Sequence, residues 1–500
     1  MMEPGISGQE PPIRAELFSV ERLEQHARSL AAAQTLAPRH KRGRPMAPRL
    51  YDNTKVLRTA YRAIAHAASA RRAIKPAAEW MLDNFYVIDE QIREIKNDLP
   101  PGYYRTLPKL GEGPLAGYPR VFGIAWALVA HTDSAFDIEK LTRFVQAYQT
   151  VQPLTIGELW ALAITLRITL VENLRRLAES IVLRLSASQE ADTLADRFLA
   201  PGPQNADAVE AALNDALWST PFVVQLAQRL RDRDPNTTPA LRWLDTRLAL
   251  ERTSIDQIVR EEVQRQSAMN VTVRNVITSM RMVSMVNWAE FFESVSPVDK
   301  VLRTSSSFAA MDFPTRDNYR RAVEGLARGS GQSEIAVAQR AVAAAEQAAR
   351  NAKPDDRATL RECDPGFYLI GPGRRTLERA LTCRVPIRTR IFRLNSRLGV
   401  LSYIGMIAIV TALVLAPVII ASTYLNVAVW VLAALAVAAL VPASDVAVAI
   451  VNRIITRHVG PTLLPSMALR DGVPADLATI IVVPTILGDM DDIARQVERL

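Results

Sequence analysis

Between Arg397 and Asp445 run 47 consecutive residues without a single charge, and that run limits this chain more than any other feature. A helix needs about 20 apolar residues to cross a bilayer, so the run holds enough for two crossings. It divides at Ser422-Thr423-Tyr424-Leu425-Asn426, a short polar turn that drags no charge across. Arg384, Arg388, Arg390, Arg393 and Arg397 flank one side, and Arg453 and Arg457 the other. By the positive-inside tendency both ends face the cytoplasm and the turn faces out. The expectation is a cytosolic domain hung on a transmembrane hairpin, residues 397–450, with cytosolic chain resuming after it.

Charge is the next constraint. The formal net charge is +8 over 500 residues, and much of it sits in 38–49 (PRHKRGRPMAPR) and just before the apolar run. No zinc-ligand spacing or aromatic RNA-binding signature accompanies these cations, so no nucleic acid is expected as a partner. Membrane lipid is, because juxtamembrane arginines complement anionic headgroups. Cys363 and Cys383 belong to no CxxC or metal-like spacing and read as ordinary reduced residues. The start, MMEPGISGQEPP, has neither a charged head nor an apolar stretch, so it is no signal peptide, and insertion is expected to rely on the internal hairpin.

Residues 1–16 read as a disordered N-terminus, and 17–396 as a helical cytosolic domain. Leu17 to Gln34 repeats at helical spacing with Ser19 as N-cap. The segment 100–120, PPGYYRTLPKLGEGPLAGYPR, is too long for a simple connection, and Tyr103, Tyr104 and Tyr118 give it anchoring surface. Val121 to Leu185 is strongly helical, with Thr155 and Glu158 forming a capping box. Glu158, Arg167, Glu172 and Arg175 keep that stretch out of a membrane. Amphipathic helices continue over 190–300 and 316–352. Asp364 to Gly371 (DPGFYLIG) reads as a small extended turn. After the hairpin, 451–478 is a Pro-punctuated connector. The run Thr479-Ile480-Ile481-Val482-Val483, closed by Pro484, then has the β-branched texture of a buried strand, and DDIARQVERL places Ile493, Val497 and Leu500 on one helical face. One strand makes no sheet, so 479–500 reads as the incomplete opening of an α/β domain that continues beyond Leu500.

Few residues suggest chemistry. Asp489, Asp491 and Asp492 have the composition of a Mg²⁺ site, but they sit where carboxylates cap a helix start, and capping is the reading their position favours. Thr485 lies where open α/β sheets bind ligands. His26, His40, His66, His131 and His458 are scattered, and His131-Thr132-Asp133 reads as a local hydrogen bond at a helix end rather than a dyad. Glu90 and Glu94 read as a solvated helix face, and Trp80, Trp126, Trp160 and Trp288 as core packing. No GxSxG, HExxH or Walker-type loop appears, so no catalytic residue and no metal ligand is assigned within this chain.

Several long phrases, taken in order, resemble the N-terminal portion of the bacterial cyclic β-1,2-glucan synthases. They include RAELFSVERLEQHARSLAAAQ, YDNTKVLRTAYRAIA, WMLDNFYVIDEQIREIKNDLPPGYYRTLPKL, GPLAGYPRVFGIAWALVAHTDSAFD, VQPLTIGELWALAITLRITLVENLRRLAESI, TRDNYRRAVEGLARGSGQSE, GFYLIGPGRRTLE and LRDGVPADLATIIVVPTIL. The resemblance implies very large inner-membrane enzymes that polymerise glucose from UDP-glucose into a β-1,2-glucan and close it into a ring. It implies a mainly α fold here: a helical cytosolic domain, a two-helix transmembrane hairpin, then the first β-α unit of a GT-A-like glycosyltransferase domain. The family's VVVPT strand matches Val482, Val483, Pro484 and Thr485, so Pro484 and Thr485 are the implied UDP-sugar contacts. Mg²⁺ or Mn²⁺ is implied for the full-length enzyme, with its ligands and catalytic motifs beyond residue 500 and none bound by this chain. A glucan exporter is an implied neighbour. The acidic GDMDD departs from the family's loop. The alternative reading is a non-catalytic membrane-anchored helical scaffold that docks or regulates a glycan polymerase; such a scaffold would not need the terminal strand.

Overall fold

Helices carry the whole architecture of the computed structural model, which describes residues 10–38, 43–99, 102–199, 219–231, 239–250, 252–304, 307–352, 356–424, 428–458, 464–469, 472–473, 475, 478 and 490–499. Among the described residues there is no strand, only three isolated antiparallel bridges. The chain divides into two compact units, Met1–Pro297 and Val298–Leu500.

In the first unit the helices are α1 (Val20–Ala33), α2 (Met46–Ser69), α3 (Pro76–Asp83), α4 (Phe85–Asp98), α5 (Tyr103–Thr106), α6 (Arg120–His131), α7 (Ile138–Gln149), α8 (Ile156–Leu199), α9 (Thr220–Arg231), α10 (Pro239–Leu250), α11 (Ile255–Met285) and α12 (Trp288–Val295). The expected caps form where local sequence dictates them. Ser19 Oγ accepts from the Arg22 amide at 3.4 Å. Thr155 and Glu158 close a reciprocal capping box, Glu158 N to Thr155 Oγ1 at 3.2 Å and Thr155 N to Glu158 Oε2 at 2.9 Å, which satisfies two orphan amides at the helix start.

That box starts α8, a single helix of 44 residues and so about 66 Å long. Leu159, Leu162, Leu166, Leu170, Leu174, Leu177 and Ile181 recur every three or four positions and are all buried. They face α2, α6, α9 and α11, which pack along its length. Fully burying one such side chain contributes about 1.5–3 kcal/mol, so this row makes α8 the axis of the unit. Its far end closes a second apolar cluster, where Leu194, Ala195 and Phe198 meet Phe222, Leu226, Leu230, Leu244 and Leu248.

The long loop anchors itself as its tyrosines suggested. Tyr103 donates to the Gly157 carbonyl at 2.6 Å, the buried Tyr104 hydroxyl meets Thr165 Oγ1 at 3.0 Å, and Arg49 donates to Tyr118 at 3.0 Å. Burial pushes the Tyr104 phenol up to about 12, against the pull of the Thr165 bond. Its work is packing.

The second unit holds α13 (Pro297–Leu302), α14 (Phe313–Ser330), α15 (Glu334–Asn351), α16 (Arg357–Glu362), α17 (Pro365–Leu369), α18 (Arg374–Ala380), α19 (Ile387–Leu398), α20 (Val400–Tyr424), α21 (Val429–His458) and α22 (Met490–Arg499). Gly331, at φ 74°, ends α14 in the left-handed region that spares glycine a steric cost. The expected extended turn over 364–371 is instead the short helix α17. Asp364 caps it by accepting from the Gly366 amide at 2.7 Å, and Pro365 fits the first helical position, where no amide partner is needed.

Gly366 has a reason to be glycine. A Cβ there would fall on the Tyr319 hydroxyl, which cannot retreat without giving up its 2.8 Å bond to Asp364. Gly366→Ala is expected to destabilise the second unit by about 1–3 kcal/mol, whereas Gly325→Ala on α14, whose Cβ would meet nothing nearer than 3.9 Å, should not. Urea titration of the two variants makes the comparison, and equal midpoints would contradict it.

The strand expected over 479–483, together with Pro484, Thr485, Gly488 and Asp489, lies outside the described residues. So do His40 and Leu425 and Asn426 of the polar turn.

Candidate functional site

Two helices are long and apolar enough to cross a membrane. They span Val400–Ala421 and Val429–Arg457 and leave most of their surface unburied by protein. They pack on each other as an antiparallel pair. Ala443, Ala447 and Val451 form the buried seam of α21, opposite Thr411 on α20, since small side chains let helix backbones approach without a water-driven term. Tyr403 donates to Asn452 Oδ1 at 2.9 Å, tying the ends that carry the arginines. Pro417 and Pro442 sit inside these helices.

α21 continues eight residues into the expected connector, to His458. Asp445 lies 16 residues past Val429, about 24 Å along the axis. A hydrocarbon core is about 30 Å thick, so a span that starts near Val429 brings Asp445 close to the far interface and leaves Arg453 and Arg457 outside.

Both ends of the pair are fixed to one helical body. On the leading side, Arg393 of α19 binds Glu378 of α18 through two bonds at 2.7 and 2.6 Å. Arg393 and Arg374 outweigh partial burial and hold the Glu378 carboxyl below its usual range. On the trailing side, Ser466 latches onto the start of α14. Its hydroxyl donates to Asp312 Oδ2 at 2.7 Å, its amide donates to Thr315 Oγ1 at 2.9 Å, and its carbonyl accepts from Asp312 N at 3.0 Å. Thr315 and Ser466 together lower the Asp312 pKa. The chain thus leaves one helical body at α19 and returns to it at Ser466.

The charges on α8 have partners, and the sequence hid them. Glu158, fully buried, receives Arg120 Nε at 2.8 Å and Nη2 at 2.6 Å. Glu172, equally buried, receives Arg49 at 2.9 and 2.7 Å, Asn53 at 2.7 Å, and Arg175 and Arg176 at 3.2 and 3.1 Å. Glu10 and Glu179 complete the group, both pairing with Arg175. Burial alone would raise the Glu172 pKa, but Arg49, Asn53 and Arg175 more than offset it and hold the carboxyl at about 2. A carboxylate so firmly ionised and enclosed neither takes a proton near neutral pH nor meets a substrate. It is a strut.

Other candidates resolve the same way. His131 and Asp133 make no local bond to each other. His131 Nδ1 donates to the Glu16 carbonyl at 2.7 Å, with its ring stacked 4.0 Å from Phe18. Asp133 turns to Thr272 at 2.7 Å, Asn275 at 3.3 Å and Arg14 at 3.4 Å. Those bonds hold Asp133 and Ser134 at φ 49° and 61°. Glu94 is not a solvated bystander: it meets Arg167 of α8 at 3.2 Å, while Glu90 stays exposed. Trp160 stacks on Phe292 at 4.5 Å, Trp126 lies under Arg176 at 4.8 Å, and Trp288 meets Phe291 at 5.4 Å, so these rings pack within the unit. Asp491 and Asp492 fall in the first turn of α22. Among the described residues no three His, Cys, Asp or Glu side chains converge as a metal would require.

No family model matches the chain. A curated protein does: the cyclic β-(1,2)-glucan synthase NdvB of Rhizobium meliloti is 32% identical over 489 residues. The match covers 98% of this chain but only 17% of that protein's length. Identity at this level, sustained along almost every element described above, makes the chain a homologue of a cyclic β-(1,2)-glucan synthase, over one portion of it.

Proposed function

We propose that this chain anchors and positions a membrane glucosyltransferase that polymerises glucose from UDP-glucose into cyclic β-1,2-glucan. The observation that carries the reading is the identity to the Rhizobium synthase along 98% of the chain, joined to the apolar helix pair. The hairpin sits in the bacterial inner membrane with both ends in the cytosol, as the flanking arginines favour. UDP-sugars are cytosolic, so transfer belongs on that side. Residues 479–500 open the GT-A-like transferase domain, and Pro484 and Thr485 contact the UDP-sugar there. In the full-length enzyme a divalent Mg²⁺ or Mn²⁺ would neutralise charge on the diphosphate leaving group. The described residues offer it no ligand cluster, so no step is assigned to them. An exporter beside the anchored enzyme receives the product.

Two results test this. Cells lacking the gene should lose cyclic β-1,2-glucan, read by mass spectrometry of cell extracts, and regain it on complementation; unchanged glucan would refute the assignment. The purified 500-residue chain, given UDP-[¹⁴C]glucose with Mg²⁺ or Mn²⁺, should form no labelled glucan, and a labelled polymer would place catalysis within it. For topology, Ala428→Cys should react with an impermeant maleimide from the periplasm and Arg457→Cys only after lysis. The reverse pattern would invert the hairpin.

A further inference from the structure

The helix that precedes the hairpin leaves a row of large apolar side chains in the open. Ile387, Ile391, Leu394 and Leu398 of α19 are 75%, 55%, 55% and 47% exposed. At 3.6 residues per turn they fall within a sector of about 60°. A soluble helix with that pattern turns the row inward; this one turns it outward. The clamp explains why. Arg393, held by Glu378, lies about 130° around the helix from the centre of the row, so the ion pair that fixes α19 to α18 aims the row away from α18. By helical position Arg390 and Arg397 flank one edge of the row. One residue, Gly399 at φ 53°, separates this helix from α20 and lets the chain change direction there.

We infer that α19 is an interfacial helix that lies in the plane of an anionic phospholipid surface, with Ile387, Ile391, Leu394 and Leu398 among the acyl chains and Arg390 and Arg397 at the phosphates. The inference rests on the reading of 400–458 as a membrane hairpin. An apolar row flanked by cations is the pattern by which monotopic helices bind bilayers, and anionic headgroups attract juxtamembrane arginines. The lipid surface is the occupant selected by position, since the row ends one residue from a bilayer span. Together the helix and the Arg393–Glu378 clamp set the tilt of the second unit's helical body on the membrane.

The test is spin-label accessibility in the full chain, carrying Cys363→Ser and Cys383→Ser, reconstituted into phosphatidylglycerol-containing nanodiscs and, separately, into phosphatidylcholine-only nanodiscs. Labels go singly at Ile391, Leu394, Thr389 on the opposite side of the helix, and Ile409 within the hairpin. In anionic discs the ratio of oxygen to nickel-chelate collisions should be several-fold higher at 391 and 394 than at 389. The difference should shrink in phosphatidylcholine and in a variant with Arg390 and Arg397 both changed to Gln. If Ile409 is in lipid but 391 is as wet as 389, or is shielded from both reagents as a protein-covered site would be, the inference is overturned while the anchor stands. If Ile409 itself is wet, the anchor reading falls and this inference falls with it.

Discussion

Glu172→Ala will destabilise the first unit by about 3–5 kcal/mol, the usual cost of stripping the partner from enclosed charges. Arg49, Arg175 and Arg176 converge on that one carboxylate; without it Arg175 and Arg176 keep Glu10 and Glu179, while Arg49 is left with the Tyr118 hydroxyl in place of a carboxylate. The same site sets an acid limit. The Glu172 pKa is depressed from 4.5 to about 2 in the fold, so its stabilisation is complete above about pH 4.5 and is lost as pH falls from there toward 2. A shift of that size is worth roughly 3 kcal/mol. Urea titrations at pH 7 and pH 3.5, followed by tryptophan fluorescence, should show a large gap between wild type and Glu172→Gln at pH 7 that narrows at pH 3.5. A gap independent of pH would mean that packing, not charge, holds this seam.

Asp299→Ala should cost the second unit a similar amount, about 3–5 kcal/mol. Arg320 has no exposed side-chain surface, Asp299 has 1%, and the two are bonded at 3.0 and 2.6 Å. Removing the carboxylate takes both of those bonds from a guanidinium that stays fully buried, 5.9 Å from the Phe308 ring centre and 5.2 Å from that of Phe313. Replacing both partners together, Asp299→Leu with Arg320→Met, should recover most of the loss, because an apolar pair of similar volume has no charge to desolvate. Chemical denaturation of the single and double variants decides it. A double variant no better than the single would make the ion pair itself, rather than the cost of burying its charges, the source of stability.

Local chemistry is what the sequence makes legible. Ser19 and the Thr155/Glu158 box act within three residues of themselves, and both formed as read. The row of leucines in α8 declares its helix by period alone. The charges on α8 were legible only as a reason against a membrane span, because Glu172 finds Arg49 across 123 positions and nothing in a linear string marks that meeting. The latch of Ser466 on Asp312 spans 154 positions and was equally hidden. Asp364-Pro365-Gly366 misled for a different reason: Pro and Gly usually mark turns, yet here Asp capping and Pro at the first position begin a five-residue helix. The arginines of 388–397 drew attention to charge and hid a second signal in the same segment, the i, i+4, i+7, i+11 spacing of Ile387, Ile391, Leu394 and Leu398.

If the apolar pair anchors the glucan synthase proposed above, a single strain will show it. Residues 400–458 are replaced in the chromosome by a flexible Gly/Ser linker that joins Gly399 to Val459, and the membrane fraction and the cyclic β-1,2-glucan are measured in the same cells. With only the peripheral contact of α19 left, the chain should become extractable from the membrane fraction by alkaline carbonate, and the glucan should fall to the level of the gene deletion. Wild-type glucan from a chain that carbonate extracts would contradict the anchoring.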